Sequence, residues 1–293
     1  MTTRVFTAAV LGTLAGCIPD LPNPENPCAP YPETGLFKHT VSQEGGGDRV
    51  AYVWVPEGAG PRPVVVMLHG AGGNHRRIAD TTQWIRQANQ HGMVVVFPNG
   101  RGIVRAWNAG GCCGFSGEER NAVEDVAFLD ALTEQVSQRT CGAEVLASGY
   151  SAGGMMVHRW GCESDVPDAV MPVAGPLMVD TCEGEPKPIR HYHGTEDPTV
   201  PIEGGPSRRN TMDYRSAEES LAIWRVRNEC SDAEPTVFED GDVVCQQWDC
   251  AARTELCEVV GWDHRWPGGV NRQAGEHDAT REGSAWFRDV YDL

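Results

Sequence analysis

Glu144-Val-Leu-Ala-Ser148-Gly149-Tyr150-Ser151-Ala152-Gly153-Gly154-Met155-Met156 reads as a short apolar strand, then Gly-x-Ser-x-Gly, then a helix start. That succession is a nucleophile elbow, a sharp strand-to-helix turn that lifts a serine hydroxyl above the carboxyl edge of a sheet. Glycine is needed at positions 149 and 153, where the backbone folds back on itself and a side chain would strike the neighbouring strand or helix. Ser151 falls at the helix N-terminus, where unpaired N–H groups and the helix dipole favour a developing negative charge.

The segments around the elbow alternate between strand and helix patterns. Residues 39–43 and 49–55 read as two strands joined by the turn Gly45-Gly46-Gly47. Residues 63–68 and 93–97 are continuous apolar runs, as expected of strands buried on both faces. Residues 76–89 have helical spacing at Ala79, Trp84, Ile85 and Ala88, and residues 122–138 have it at Val123, Val126, Phe128, Leu129 and Leu132. Beyond the elbow come apolar runs at 169–174 and 188–193, a helix over 215–228, a strand over 254–260 and a closing helix over 284–292. Strands alternating with helices predict an α/β fold, a mostly parallel central sheet with helices on both faces, in a single domain over 35–293.

Bulk properties narrow the possible partners. The formal net charge of −17 over 293 residues opposes binding to the phosphates of nucleic acid and disfavours polyanionic substrates. Eleven cysteines, with no C-x2-C pair matched by a second, point to an exported, disulfide-bearing protein rather than to zinc. Arg4, the apolar stretch 5–14 and Leu14-Ala15-Gly16-Cys17 have the charge, apolar core and small residues of a signal peptide. Leu-Ala-Gly-Cys also resembles the lipobox of bacterial lipoproteins, which implies acylation of Cys17 and a boundary at residues 1–17. Removing Cys17 leaves an even number of cysteines for pairing. Residues 18–34 are too rich in proline for helix or central strand, and are expected to form an extended tether bonded back to the body through Cys28. Membrane contact is expected through this N-terminal lipid anchor alone.

A serine hydroxyl needs a base within hydrogen-bond reach, and in this fold the acid and then the histidine follow the serine in chain order. His193-Gly194-Thr195-Glu196-Asp197 follows a predicted strand, and Gly261-Trp262-Asp263-His264-Arg265-Trp266 follows the last one. Ser151 is therefore expected as nucleophile, His264 as base and Asp197 as the orienting carboxylate, with Glu196 as the rival acid. Two amides should form an oxyanion hole, the N–H of Ala152 and the N–H of Ala71 in the loop Leu68-His69-Gly70-Ala71-Gly72-Gly73-Asn74. His191 and His193 alternate on a strand as a metal pair would, but no further ligands stand near them in sequence, so neither metal nor cofactor is expected. His158 is expected to be a surface or helix-packing residue.

His69-Gly-Ala-Gly-Gly-Asn74, Trp107-Asn-Ala-Gly-Gly-Cys112-Cys113-Gly114, Gly149-Tyr-Ser-Ala-Gly-Gly-Met-Met156, His193-Gly-Thr-Glu-Asp197 and His264-Arg-Trp-Pro-Gly-Gly269 together resemble the polyhydroxybutyrate depolymerase and feruloyl esterase group. This is the LpqC-like branch of the α/β-hydrolases, overlapping carbohydrate esterase family 1. The resemblance runs from about Gly35 to the C-terminus and implies an α/β-hydrolase fold and a secreted serine esterase with the triad above. Trp262, Asp263 and Arg265 depart from it, because the family has small residues beside its histidine. The resemblance also pairs Cys230 with Cys250. Cys113 with Cys162, tying the tryptophan loop to the elbow helix, and Cys245 with Cys257, across neighbouring strands, are further candidate pairs.

Trp107 with Asn108 is expected to wall the cleft, and Tyr150 and Trp266 to contact substrate, since tryptophan rings stack on aromatic acyl groups and sugars. The expected partner is a small or oligomeric ester: a feruloyl or acetyl ester of plant polysaccharide, or a hydroxyalkanoate oligomer. A polyester depolymerase proper, and a non-catalytic surface lipoprotein that uses the same fold to bind ligand, are the alternatives.

Overall fold

The computed structural model describes residues 34–43, 47–58, 60–113, 123–142, 144–271 and 277–293. The expected signal peptide with Cys17, the tether up to residue 33 with Cys28, and the Gly45-Gly46 turn lie outside these residues.

Among the described residues, ten strands form one sheet in the order β1-β2-β4-β3-β5-β6-β7-β12-β11-β10. They are β1 (Gly35–Gln43), β2 (Gly47–Val55), β3 (Val64–Leu68), β4 (Val94–Pro98), β5 (Val145–Tyr150), β6 (Ala169–Val173), β7 (Ile189–Gly194), β10 (Thr236–Asp240), β11 (Val243–Trp248) and β12 (Thr254–Val259). Strands β4, β3, β5, β6, β7 and β12 run parallel to one another. An antiparallel hairpin flanks them on each side, β1–β2 on one and β10–β11 on the other. Two short strands, β8 (Gly205–Pro206) and β9 (Asp213–Tyr214), pair separately. The mostly parallel, doubly covered sheet is the fold that the sequence pattern implies.

Strand β3 shows why the interior runs are apolar at every position. Val64, Val66 and Leu68 enter one core, while Val65 and Met67 enter the other. The first core is closed by α3 (Asp125–Thr140), α4 (Ala152–Glu163) and α5 (Ala217–Arg227), through Phe128, Leu132, Met156, Trp160 and Trp224. The second is closed by α1 (His75–Thr82), α2 (Trp84–His91) and α6 (Ala279–Tyr291), through Ile78, Trp84, Trp286 and Phe287. Each buried valine or leucine stabilises by about 1.5–3 kcal/mol relative to an exposed one, so a polar residue on either face of β3 would be costly.

Local signals set the helix ends. Asn74 caps α1 by accepting the Arg77 N–H at 3.0 Å. Ser216 and Glu219 form a reciprocal capping box at the start of α5. The single helix expected over 76–89 is in fact two, because Gln83 takes a left-handed conformation (φ 58°) and serves as the end of α1 and the start of α2. Apolar spacing runs through this break and conceals it.

Among the described residues, disulfides join Cys112 to Cys113, Cys162 to Cys182, Cys230 to Cys250 and Cys245 to Cys257. Cys230–Cys250 agrees with the resemblance, and Cys245–Cys257 spans directly paired positions of β11 and β12. The Cys113–Cys162 pair does not form, since Cys113 bonds its own neighbour and Cys162 ties the end of α4 to the loop after β6. Among the described residues no helix is long and apolar enough to cross a membrane.

Candidate active site

Four loops at the carboxyl ends of the parallel strands converge, and each carries one part of the site. Strand β5 ends in Tyr150, and Ser151 follows at φ 58°, ψ −122°, a backbone region that side chains seldom occupy. The strain persists because the surroundings leave no alternative. The Ser151 N–H donates to the Val173 carbonyl at 2.9 Å, and the Ser151 carbonyl accepts from Met155 at 3.0 Å. A Cβ at position 149 would run into the Gly153 carbonyl, and one at 153 into the Leu68 carbonyl. Both glycines therefore let α4 start directly against β3 and β5.

The loop after β12 brings His264 over this serine. Its Nε2 lies 2.9 Å from Ser151 Oγ and its Nδ1 lies 2.6 Å from Asp197 Oδ2. The loop after β7 supplies Asp197, whose side chain is fully buried. Asp197 Oδ1 accepts the N–H groups of Thr199 and Val200, each at 2.8 Å. Burial alone would raise this carboxyl, but hydrogen bonds from His193 and His264 and the nearby imidazole charge hold it well below the usual range. Glu196, the rival acid, is exposed.

Tyr150 contributes in two ways. It lines the cleft, and its hydroxyl donates to the His264 carbonyl at 2.7 Å, so the residue beside the serine also holds the histidine loop. Burial pushes its phenol above the ordinary range, so the hydroxyl keeps its proton and remains a donor.

The loop after β3 completes the rim. Ala71 and Ala152 both line the cleft beside Ser151. Ala152 opens α4, so its N–H has no acceptor within the helix. His69 braces this loop: its Nδ1 is paired with the Gly70 carbonyl at 2.7 Å, and its Nε2 accepts the Gly100 N–H at 2.9 Å. Burial lowers the His69 imidazole to about 4, so it stays neutral.

Three expected substrate contacts are not at the cleft. Trp107 is fully buried, and its indole N–H donates to the His69 carbonyl at 2.7 Å, so it supports the loop from beneath. Asn108 is buried beside it, with its N–H on Asp125 Oδ2 at 2.6 Å and its side-chain amide on the Val123 carbonyl. Trp266 is buried with its N–H on Thr280. The bulky residues beside His264 also leave the cleft open: Trp262 is buried with its N–H on Asp242, and Asp263 pairs with Arg265 at the surface.

The cleft measures about 470 Å³ and is lined by Ile78, Met155, Met212, Tyr214 and the Cys112–Cys113 pair, among others. Of these, Met155 was detectable in sequence, standing one helical turn after Ser151. Met212 and Tyr214 arrive on the excursion after β7, which carries no periodic signal. Arg77, Thr199 and Asn210 add polar groups to the lining, so the cleft offers an apolar wall beside hydrogen-bonding positions. No group of three or more potential metal ligands occurs among the described residues. His191 and His193 are hydrogen-bonded to each other at 3.0 Å, an arrangement unlike a ligand pair facing an ion.

The sequence profile of the dienelactone hydrolase family matches residues 50–224, more than half of the 293-residue chain. Feruloyl esterase B of Piromyces equi is 26% identical over 218 residues, covering 69% of this chain and 39% of that protein. Feruloyl esterase C of Emericella nidulans is 31% identical over 171 residues, covering 54% of this chain and 58% of that protein. The chain thus spans less than two thirds of either relative. Among solved structures, an acetyl xylan esterase from Aspergillus awamori superposes with a TM-score of 0.63 at 12% identity, over 86% of this chain and 98% of that one. LpqC, a poly(3-hydroxybutyrate) depolymerase from Bordetella parapertussis, gives 0.55 at 17% identity, over 89% and 91%. At these identities the likeness to the solved structures is one of fold.

Proposed function

We propose that this chain, which belongs to the dienelactone hydrolase family, is an exported serine carboxylic ester hydrolase working through an acyl-enzyme. Ser151 Oγ attacks the ester carbonyl while His264 Nε2 takes its proton. Asp197 keeps the other ring proton on Nδ1 and offsets the imidazolium charge. The carbonyl oxygen, now negative, is received by the amides of Ala152 and Ala71, where α4 begins. The bond to the leaving alkoxide then breaks, and His264 returns the proton to it as alcohol. Water repeats the sequence on the acyl-serine, releasing the acid.

The observation that carries this function is the unbroken contact from Ser151 to His264 to Asp197, at 2.9 and 2.6 Å, opening onto a cleft. Feruloyl or acetyl esters of polysaccharide, or hydroxyalkanoate oligomers, are the substrates we assign; the apolar wall of Ile78, Met155 and Met212 suits their acyl groups, and the names of the two feruloyl esterase relatives favour the first. Several disulfides support an oxidising compartment. Cleavage before Cys17, its acylation, and a proline-rich tether to the membrane complete the proposal.

The test sets methyl ferulate, acetylated xylan and hydroxybutyrate oligomers side by side against wild type and Ser151→Ala, with a fluorophosphonate probe as a label for an activated serine. Wild type should label and hydrolyse at least one ester, and Ser151→Ala should lose about 10⁴-fold or more in kcat. A Ser151→Ala protein that retained the wild-type rate would refute the assignment.

A further inference from the structure

Behind Asp197, away from the cleft, three histidines lie end to end in the core. His158 on α4 and His191 on β7 are fully buried, and His193 on β7 is nearly so. His158 Nε2 is 3.1 Å from His191 Nδ1, and His191 Nε2 is 3.0 Å from His193 Nδ1. The row has fixed ends. At one, the indole Nε1 of Trp224 on α5 lies 2.9 Å from His158 Nδ1. At the other, His193 Nε2 lies 2.8 Å from the Val200 carbonyl and 3.5 Å from Asp197 Oδ2.

An indole N–H donates and cannot accept, and a carbonyl accepts and cannot donate. Trp224 therefore makes His158 Nδ1 an acceptor, which leaves the ring proton of a neutral His158 on Nε2. That proton makes His191 Nδ1 an acceptor, and the same step passes to His193. The Val200 carbonyl demands the same direction from the far end. One arrangement of protons, Nε2–H on all three rings, satisfies all four hydrogen bonds at once. Burial supports it, lowering the His158 imidazole to about 3 and His191 well below its usual value, with Arg215 and the neighbouring histidines opposing added positive charge. Aligned hydrogen bonds in a low-dielectric interior polarise one another in the same sense.

We propose that Trp224, His158, His191 and His193 form a one-way hydrogen-bond chain that positions Asp197 for its work on His264. The inference rests on the serine esterase function above. His193 fixes the Val200 carbonyl, and Val200 in turn donates its N–H to Asp197 Oδ1. The same His193 N–H points its positive end at Asp197 Oδ2, the oxygen that receives His264. With the chain running backwards, His193 would present a lone pair to the carbonyl and the carboxylate, and the Asp197 turn would shift. These four residues touch no substrate; they are positioning residues.

Ring-nitrogen NMR of the wild-type protein at neutral pH reads the proton positions directly. Neutral Nε2–H rings at His158, His191 and His193 are expected, and an Nδ1–H ring at His193 would overturn the chain whatever the variants do. Trp224→Phe removes the donor that sets the direction while keeping an aromatic ring. It should mix the tautomers and lower kcat by roughly 10- to 100-fold, with KM little changed, as for a small misplacement of reacting groups. His193→Gln, whose amide can still donate to Val200, should keep more activity than His193→Phe, which cannot. Mixed tautomers with an unchanged kcat, or equal activity in the two His193 variants, would overturn the positioning role. Failure of the wild type to label with fluorophosphonate would instead sink the esterase function and leave the proton assignment standing.

Discussion

Acidification should unfold this protein through histidines held neutral in the core. His69 and His158 are buried, and burial lowers their imidazoles to about 4 and about 3. In the unfolded chain each would titrate near 6.5. As pH falls below that value the unfolded chain takes up protons that the folded one refuses, so stability present above pH 6.5 is lost as pH drops toward the folded values. Each such group contributes a slope of roughly 1.4 kcal/mol per pH unit. Between pH 7 and pH 5 the loss is about 2 kcal/mol per histidine, or about 4 kcal/mol for the two together. His191, also lowered by burial, adds to the same side. Asp168 and Glu258, raised by burial, act in the opposite sense but are only partly buried. Against a typical total of about 5–15 kcal/mol, the net loss is large. Urea titrations at pH 7, 6 and 5, followed by tryptophan fluorescence with disulfides intact, measure it as a falling midpoint at constant m. Unfolding free energies that stayed level or rose on acidification would refute the neutral, buried state of these rings.

Two substitutions probe the framework of the site. Gly153→Ala would drive a methyl group into the carbonyls of Leu68 and His69; it should cost about 1–3 kcal/mol, seen as a lower Tm, and should abolish fluorophosphonate labelling by displacing Ser151. Replacing Cys162 and Cys182 together by serine frees a span of 20 residues and should cost about 3 kcal/mol in urea, while kcat measured well below the transition stays close to wild type.

The parts of the molecule that could be read from the chain alone are those where one local pattern has one physical solution. The apolar runs of β3 and β4 leave no polar side to face water, so they had to be interior strands. The elbow glycines and the strand-then-loop settings of residues 197 and 264 fix the order of the site, and those side chains do meet in space. Strand β10 was missed because it is exposed at every position and lacks the alternation that marks a strand. Trp107 was misplaced because nothing local distinguishes an indole supporting a loop from one lining a cleft. The histidine row depends on contacts between positions 158, 191, 193 and 224. Only the alternation of His191 and His193 on one strand face hinted at it, and that spacing also fits a metal pair.

An antiparallel hairpin flanks the sheet on each side, so among the described residues none of the six parallel strands is outermost. Runs such as Val64–Leu68 and Val94–Pro98 would be ready templates for pairing with another chain if left unguarded. On the β12 side the guard is covalently attached, because Cys245–Cys257 ties β11 to the strand it shields. In a reducing compartment that tie would open, and the backbone ladder from the Val243–Val259 pair to the Trp248–Thr254 pair would hold the guard in place without it. The oxidised pair is thus a clasp set across a seam that hydrogen bonds have already closed, fixing the register of the hairpin that covers β12.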